Sequence, residues 1–164
     1  MLTIYVDQIS TRLQYTLNFV FEHRGLDFQL TNDFKQFEQL EGWKLNYSGR
    51  HFDNVAQLIP STLLFEETIE PYEITKELFY KEECFCLNGI TDPLASIFFT
   101  LSRMEEYLTD EKDNLGRFTG KNSLLFQYNW HEKAMCDRWS VDFLLFLKDR
   151  CQLKWHPKLT LVES

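Results

Sequence analysis

The chain has 164 residues, a length that suits one domain able to bury most of the surface that its unfolded form exposes. Its 17 basic and 25 acidic residues give a net charge of −8, which repels phosphate backbones and anionic lipids and so excludes nucleic acid and membranes as expected partners. Charged residues interrupt the apolar N-terminal stretch, so neither a signal peptide nor a membrane span is predicted, and the expected location is the cytoplasm.

The N-terminal part of the chain predicts an alternation of strands and helices. Short β-type runs cover residues 2–6, 28–31 and 43–47. Apolar residues recur at helical spacing between these runs, first after a capping residue at Asp7 or Ser10 and then after Asp33. This β-α-β-α-β order predicts an α/β fold with a mixed, partly parallel sheet and helices packed on its faces.

Residues 48–89 show a looser pattern. The runs 58–60, 63–65, 78–80 and 84–87 look like strands and are expected at sheet edges or in hairpins. The acidic residues of this region, Glu66, Glu67, Glu70 and Glu73, have no histidine or aspartate at matching spacing, which favours a solvated face over a metal site. Cys84 and Cys86 would face the same side of a strand and are interpreted as small buried residues rather than zinc ligands. All four cysteines are expected to be reduced, because no export signal is present.

Two longer helices are predicted in the second half of the chain. The first begins with Asp92 as its cap and Pro93 at the first helical position, and it extends to about residue 108. The second covers about 132–150 and carries a broad apolar face. Residues 159–162 have the composition of a last strand, so the chain is interpreted as a single domain, 1–164, with a linker or last strand from residue 154.

The most specific chemistry lies where the first of these helices is predicted to end. There Ser-Arg-Met-Glu-Glu-Tyr is followed by Asp-Asn-Leu-Gly-Arg-Phe at 113–118. On a continuous helix Glu105 would fall in the middle of the apolar face, and a buried carboxylate needs a cation or backbone donors. Arg117 is the candidate partner, because a guanidinium can donate two parallel hydrogen bonds and Gly116 would let the loop turn back.

Two interpretations of this block stay open. The first is a structural clamp that ties the helix to the following loop, with Arg103 paired locally to Glu106 or Tyr107. The second is a functional site in which one of the adjacent glutamates is a general acid or base and an arginine binds an anion. The candidate clamp or interdomain site therefore comprises Arg103, Glu105, Glu106, Tyr107, Asp113, Gly116 and Arg117.

Other patterns that carry chemistry are weak. The four histidines are scattered and form no two-histidine helical metal motif, and no phosphate-binding glycine loop or nucleophile elbow occurs. No catalytic residue is assigned, and neither a metal nor a cofactor is expected. Each of the four tryptophans is interpreted as a core or interface residue rather than as a sugar-stacking ring.

The order Ser-Arg-x-Glu-Glu-Tyr and then Asp-x-x-Gly-Arg-Phe resembles the uncharacterised domain that precedes the catalytic domain in a group of bacterial polysaccharide-deacetylase-like proteins. The similarity extends through most of the chain and includes Leu45-Asn46-Tyr47 and Asp137-Arg138-Trp139. Ala134 stands where that family often has proline, which bears only on where the last helix begins.

The resemblance implies an accessory domain whose C-terminal neighbour in the same protein is a carbohydrate deacetylase. That catalytic family holds a divalent metal with an aspartate and two histidines of His-x-x-x-His type, and this chain has no such histidine pair, so no catalytic or metal residue is carried over. The expected function is a non-catalytic accessory or interdomain module of a polysaccharide- or glycoconjugate-modifying protein. The alternatives are a stand-alone small enzyme that uses paired glutamates and a carbohydrate-binding module that uses exposed aromatic rings.

Overall fold

The computed structural model describes residues 1–22, 24–105, 124–131 and 133–152. The described strands are β1 (Leu2–Tyr5), β2 (Phe28–Thr31), β3 (Trp43–Asn46), β4 (Ala56–Gln57), β5 (Ile74–Leu78), β6 (Glu83–Leu87) and β7 (Ile90–Thr91). The described helices are α1 (Thr11–Phe21), α2 (Phe34–Gln39), α3 (Pro93–Leu101), α4 (Leu124–Gln127) and α5 (Met135–Arg150), and a 3₁₀ helix covers Thr62–Phe65. One parallel and one antiparallel sheet confirm the predicted α/β fold with mixed strand directions.

Four parallel strands form the first sheet, in the order β2-β1-β3-β4. Leu2, Ile4 and Val6 are fully buried in the main hydrophobic cluster, which also contains residues of α1, α3 and α5. Alternate residues of a strand point to opposite faces, and on the other face Tyr5 packs against Phe37 of α2, with 5.6 Å between ring centroids. Helices therefore cover both faces of this sheet, as the β-α-β-α-β order predicts.

Side-chain caps begin α1, α2 and α3 as the sequence predicts. The capping residues are Ser10, Asp33 and Asp92, and each accepts a hydrogen bond from a backbone amide of the first helical turn. Helix α5 begins at Met135, about three residues later than predicted, and the capping position before it, Ala134, has no side-chain cap. The caps thus fix where the helices that cover the parallel sheet begin.

The second sheet is antiparallel, in the order β5-β6-β7. The predicted strand at 84–87 is confirmed as β6, whereas the prediction at 78–80 is wrong because β5 ends where that run begins. Phe79 instead enters the hairpin turn, where its amide donates to the Glu82 carbonyl at 2.9 Å. A two-residue strand that the sequence does not predict, β7, pairs with β6 across Asn88 and Gly89, whose φ angles of 51° and 85° suit a tight turn.

The segment between β3 and β5 also differs from the prediction. Strand β4 ends just before the predicted run at 58–60. The predicted strand at 63–65 is wrong, because this run lies in the 3₁₀ helix, where Ser61 accepts a hydrogen bond from the Leu63 amide at 3.3 Å. Leu63 and Leu64 are fully buried. A short apolar run can be buried in a strand or in a 3₁₀ helix, and here the Ser61 cap favours the 3₁₀ helix.

Aromatic rings pack at the centre of the main cluster. Phe85 of β6 contacts the rings of Phe99, Trp130 and Trp139, with centroids 5.4 to 5.6 Å apart. The indole nitrogen of Trp139 donates to the Glu83 carbonyl at 2.8 Å, which satisfies its only polar group. These contacts join α3 and α5 to the second sheet and confirm the predicted core role of Trp130 and Trp139.

The cysteines are free thiols in the structure. Cys84 and Cys86 are buried on β6, as predicted. Burial raises the pKa of the Cys136 and Cys151 thiols to about 12, so both are protonated at neutral pH.

The predicted acidic face is exposed at Glu67, Glu70 and Glu73. Glu66 departs from that prediction: it is half-buried, and its carboxylate accepts hydrogen bonds from the hydroxyls of Tyr72 and Thr62. Within the ranges described above, no helix has the length and apolar character needed to cross a membrane.

Candidate functional site

Helix α3 ends earlier than the sequence predicts. It stops at Leu101, and Arg103 has a φ of 57°, in the left-handed region. The Arg103 amide donates to the Thr100 carbonyl at 3.2 Å and the Met104 amide to the Phe99 carbonyl at 3.1 Å, the pair of bonds that defines a Schellman motif. Phe99 and Met104 occupy the two positions of this motif that are commonly apolar, and both are buried. The prediction of one helix through residue 108 is therefore wrong.

This turn also changes the position of Glu105. The residue does not lie in the middle of the apolar face of α3, because α3 has already ended, and it is half-buried rather than fully buried. Both carboxylate oxygens accept a hydrogen bond from the Leu124 amide, at 2.8 and 3.1 Å. Glu105 therefore holds the start of α4 against the end of α3, two segments that are 19 residues apart.

Two members of the predicted site, Arg103 and Glu105, lie in the described residues. Arg103 is exposed in the turn after α3, and Glu105 lies two residues later, where it contacts the start of α4. The other members of the predicted site, Glu106, Tyr107, Asp113, Gly116 and Arg117, lie outside the described residues. The predicted pairing of Glu105 with Arg117 stays a prediction. The bond to the Leu124 amide is a backbone donor of the kind that the sequence predicts for Glu105, although the sequence does not identify Leu124.

The Glu105 carboxylate also influences a neighbouring aromatic residue. Burial raises the pKa of Tyr128 above its ordinary value, and the negative charge of Glu105 adds to the increase. The Tyr128 ring lies against Trp130 at 5.1 Å and beneath the Lys76 ammonium at 5.4 Å. The end of α3 is thus connected through α4 to the aromatic cluster and the second sheet.

Asp92 is the most connected buried carboxylate in the described part of the chain. Besides the amides of Leu94 and Ala95 at 2.9 and 3.1 Å, it accepts the Ser61 amide at 2.8 Å and the Tyr47 hydroxyl. Burial raises the pKa of the Asp92 carboxyl, and these hydrogen bonds lower it in part; burial also raises the pKa of Tyr47, with the nearby carboxylate adding to the rise. Asp92 joins α3, the end of β3 and the 3₁₀ helix.

Asp142 is a second buried carboxylate with a bridging role. It lies on the buried side of α5 and accepts hydrogen bonds from the Lys81 amide at 2.9 and 3.1 Å and from the Glu82 amide at 3.1 Å. These bonds fasten the β5–β6 turn to α5. The sequence does not predict this role because the turn lies about 60 residues away. The local signal is an aspartate beside Phe143 on an apolar helix face.

A cleft opens at the carboxyl end of the parallel sheet. The chain passes from β1 to β2 on one side of β1 and then to β3 on the other side of β1, so the strand order reverses at β1. Open α/β sheets bind ligands at such a reversal point. The cleft, about 350 Å³, lies between residues 8–12, which lead from β1 into the first turn of α1, and Phe65–Glu67. Phe65 contacts the ring of Tyr47 just after β3, and Ile9 is exposed. Apolar and polar groups therefore meet in one cavity of ligand size.

Groups of metal ligands do not form in the described ranges: no three histidine, cysteine, aspartate or glutamate side chains there lie close enough to hold an ion. His51 is exposed and contacts Asp53 at 2.9 Å, and Trp43 is half-buried on β3. His23 and Trp155 lie outside the described residues.

Comparison with known proteins places the chain in a family without assigning it an activity. No curated protein and no solved structure matches the sequence. One family model matches residues 2–152, which include every described element. The chain therefore belongs to DUF7033, a family of unknown function.

Proposed function

We propose that this chain is a non-catalytic accessory or interdomain module of a protein that modifies polysaccharides or glycoconjugates. Its partner is a C-terminal catalytic domain of the same protein, of the carbohydrate-deacetylase type, and both act in the cytoplasm. The observation that carries the proposal is the position of Glu105, whose two carboxylate oxygens accept the Leu124 amide. Glu105, the one of the two adjacent glutamates that lies in the described residues, thus joins two segments of the fold.

The two buried carboxylates of the described residues, Asp92 and Asp142, have the same use. Asp92 receives an amide 31 residues away and Asp142 receives one 61 residues away, so both act as cross-links between distant segments. A general base needs a lone pair that faces the substrate, and a general acid needs a proton that can reach the leaving group. Carboxylates surrounded by backbone donors contribute to stability and position instead, which supports a scaffold role for this domain.

The resemblance in the block that follows α3 supports the deacetylase side of the proposal. In the group that this block resembles, the domain precedes the catalytic domain, and the metal-binding aspartate and histidines belong to that following domain. The turn at Arg103 lies at the N-terminal end of the resembling block, and Glu105 within it accepts the Leu124 amide of α4. We therefore assign the block to scaffold or docking, and the chemistry to the partner domain.

The coding sequence beyond Ser164 gives the first test. A continuation that encodes a domain with an acidic residue and a His-x-x-x-His motif supports the proposal, and a stop codon directly after Ser164 contradicts it.

A second test uses the complete protein and follows acetate release from N-acetylated oligosaccharides. Replacing a metal-binding histidine of the catalytic domain should abolish kcat, whereas Glu105→Gln should leave kcat unchanged at a temperature where the variant is folded. Loss of kcat in a folded Glu105→Gln protein would instead assign acid-base chemistry to this domain.

A second candidate function, carbohydrate binding, is favoured by the cleft at the carboxyl end of the parallel sheet. Its lining combines an exposed apolar residue, Ile9, with the Phe65 ring and the polar groups of Glu66 and Glu67. A sugar ring presents apolar and hydroxylated faces that such a lining can contact, and Arg12, which also lines the cleft, adds a donor beside the two carboxylates.

Chemical-shift titration of the complete chain with N-acetylated and deacetylated oligosaccharides tests this candidate. Binding should perturb residues 8–12 and should weaken in Ile9→Asp but not in Glu70→Gln, an exposed glutamate outside the cleft lining. Absence of perturbation at millimolar sugar, or equal binding by both variants, rules out carbohydrate binding at this cleft.

A further inference from the structure

We draw no further inference here: the strongest remaining candidate, the apolar groove that Ala134 before α5 and Val141 and Leu145 of α5 form with the β5–β6 turn, has nothing in the structure to show what covers it.

Discussion

Replacement of Asp92 by alanine should be among the most destabilising single changes in the described part of the chain. The substitution removes an acceptor that four donors share, namely the amides of Ser61, Leu94 and Ala95 and the hydroxyl of Tyr47. Asp92, Tyr47 and Ser61 are all at least 99% buried, so water cannot take the place of the lost carboxylate without opening the structure.

The magnitude has two parts. Loss of the helix cap of α3 costs about 1 kcal/mol of unfolding free energy. Leaving the Ser61 amide and the Tyr47 hydroxyl buried without an acceptor costs about 1 to 3 kcal/mol each, of which relief of the buried charge returns a part. The sum is roughly 3 to 5 kcal/mol, which corresponds to a fall in Tm of roughly 6 to 20 °C for a domain of this size.

Urea unfolding followed by tryptophan fluorescence measures this loss, with Asp33→Ala as the matched control. Asp33 also caps a helix through two amides, at 3.1 Å each, but it is exposed and its side chain has no long-range bond. We expect Asp33→Ala to cost only about 1 kcal/mol. Asp92→Asn should fall between the two alanine variants, because an asparagine caps α3 equally well but turns an NH₂ group toward other donors.

The comparison between the two alanine variants decides the argument. Equal losses for Asp92→Ala and Asp33→Ala would refute the reasoning, because the bonds to the 3₁₀ helix and to β3 would then contribute nothing beyond the cap. A loss of roughly 3 to 5 kcal/mol for Asp92→Ala beside about 1 kcal/mol for Asp33→Ala would establish Asp92 as a cross-link between segments.

Three further outcomes are expected. Arg103→Gly should be more stable than Arg103→Ala by about 1 kcal/mol in urea unfolding, because both lack the guanidinium and only alanine strains a φ of 57°; equal stability would contradict the left-handed turn. Asp142→Ala should cost about 2 to 3 kcal/mol and speed hydrogen exchange of the Lys81 and Glu82 amides, whereas Glu38→Ala, at an exposed position of α2, should change neither. Because burial raises the pKa of Asp92 above its ordinary 3.8, the native state binds this proton more tightly than the unfolded chain does, so the stability of the wild type relative to Asp92→Asn should fall as the pH rises from about 4; a rise would contradict the sign.

The sequence predicts the starts of three helices and the parallel sheet well because the signals for them are local. Ser10, Asp33 and Asp92 are caps within three residues of the amides that they bind, and the alternation of strands and helices leads directly to a parallel sheet. The errors arise where local signals are ambiguous. A run of three apolar residues suits a strand or a 3₁₀ helix equally well, and only the cap at Ser61 separates them.

The site is harder to predict because its contacts are long-range. No glycine or proline marks the end of α3; the motif uses Arg103 in a conformation that glycine adopts more easily, so periodicity extends the helix too far and misplaces Glu105. The partners of Asp92 and Asp142 lie 31 and 61 residues away in the sequence, and periodicity carries no information about such pairs. Chemistry alone correctly indicates that a carboxylate among apolar residues needs donors, but it does not identify them.

The most direct test of the central claim, that the carboxylates of this domain hold the fold rather than perform chemistry, compares Glu105→Gln with Glu73→Gln in the complete protein. Glu73 is exposed and lies outside the cleft lining, and its replacement should change neither Tm nor the proposed deacetylase activity. Glu105→Gln should lower Tm by several degrees, because a neutral amide oxygen is a weaker acceptor for the Leu124 amide, and should leave kcat unchanged below that Tm. An unchanged Tm together with a large loss of kcat would contradict the account and make Glu105 a catalytic residue.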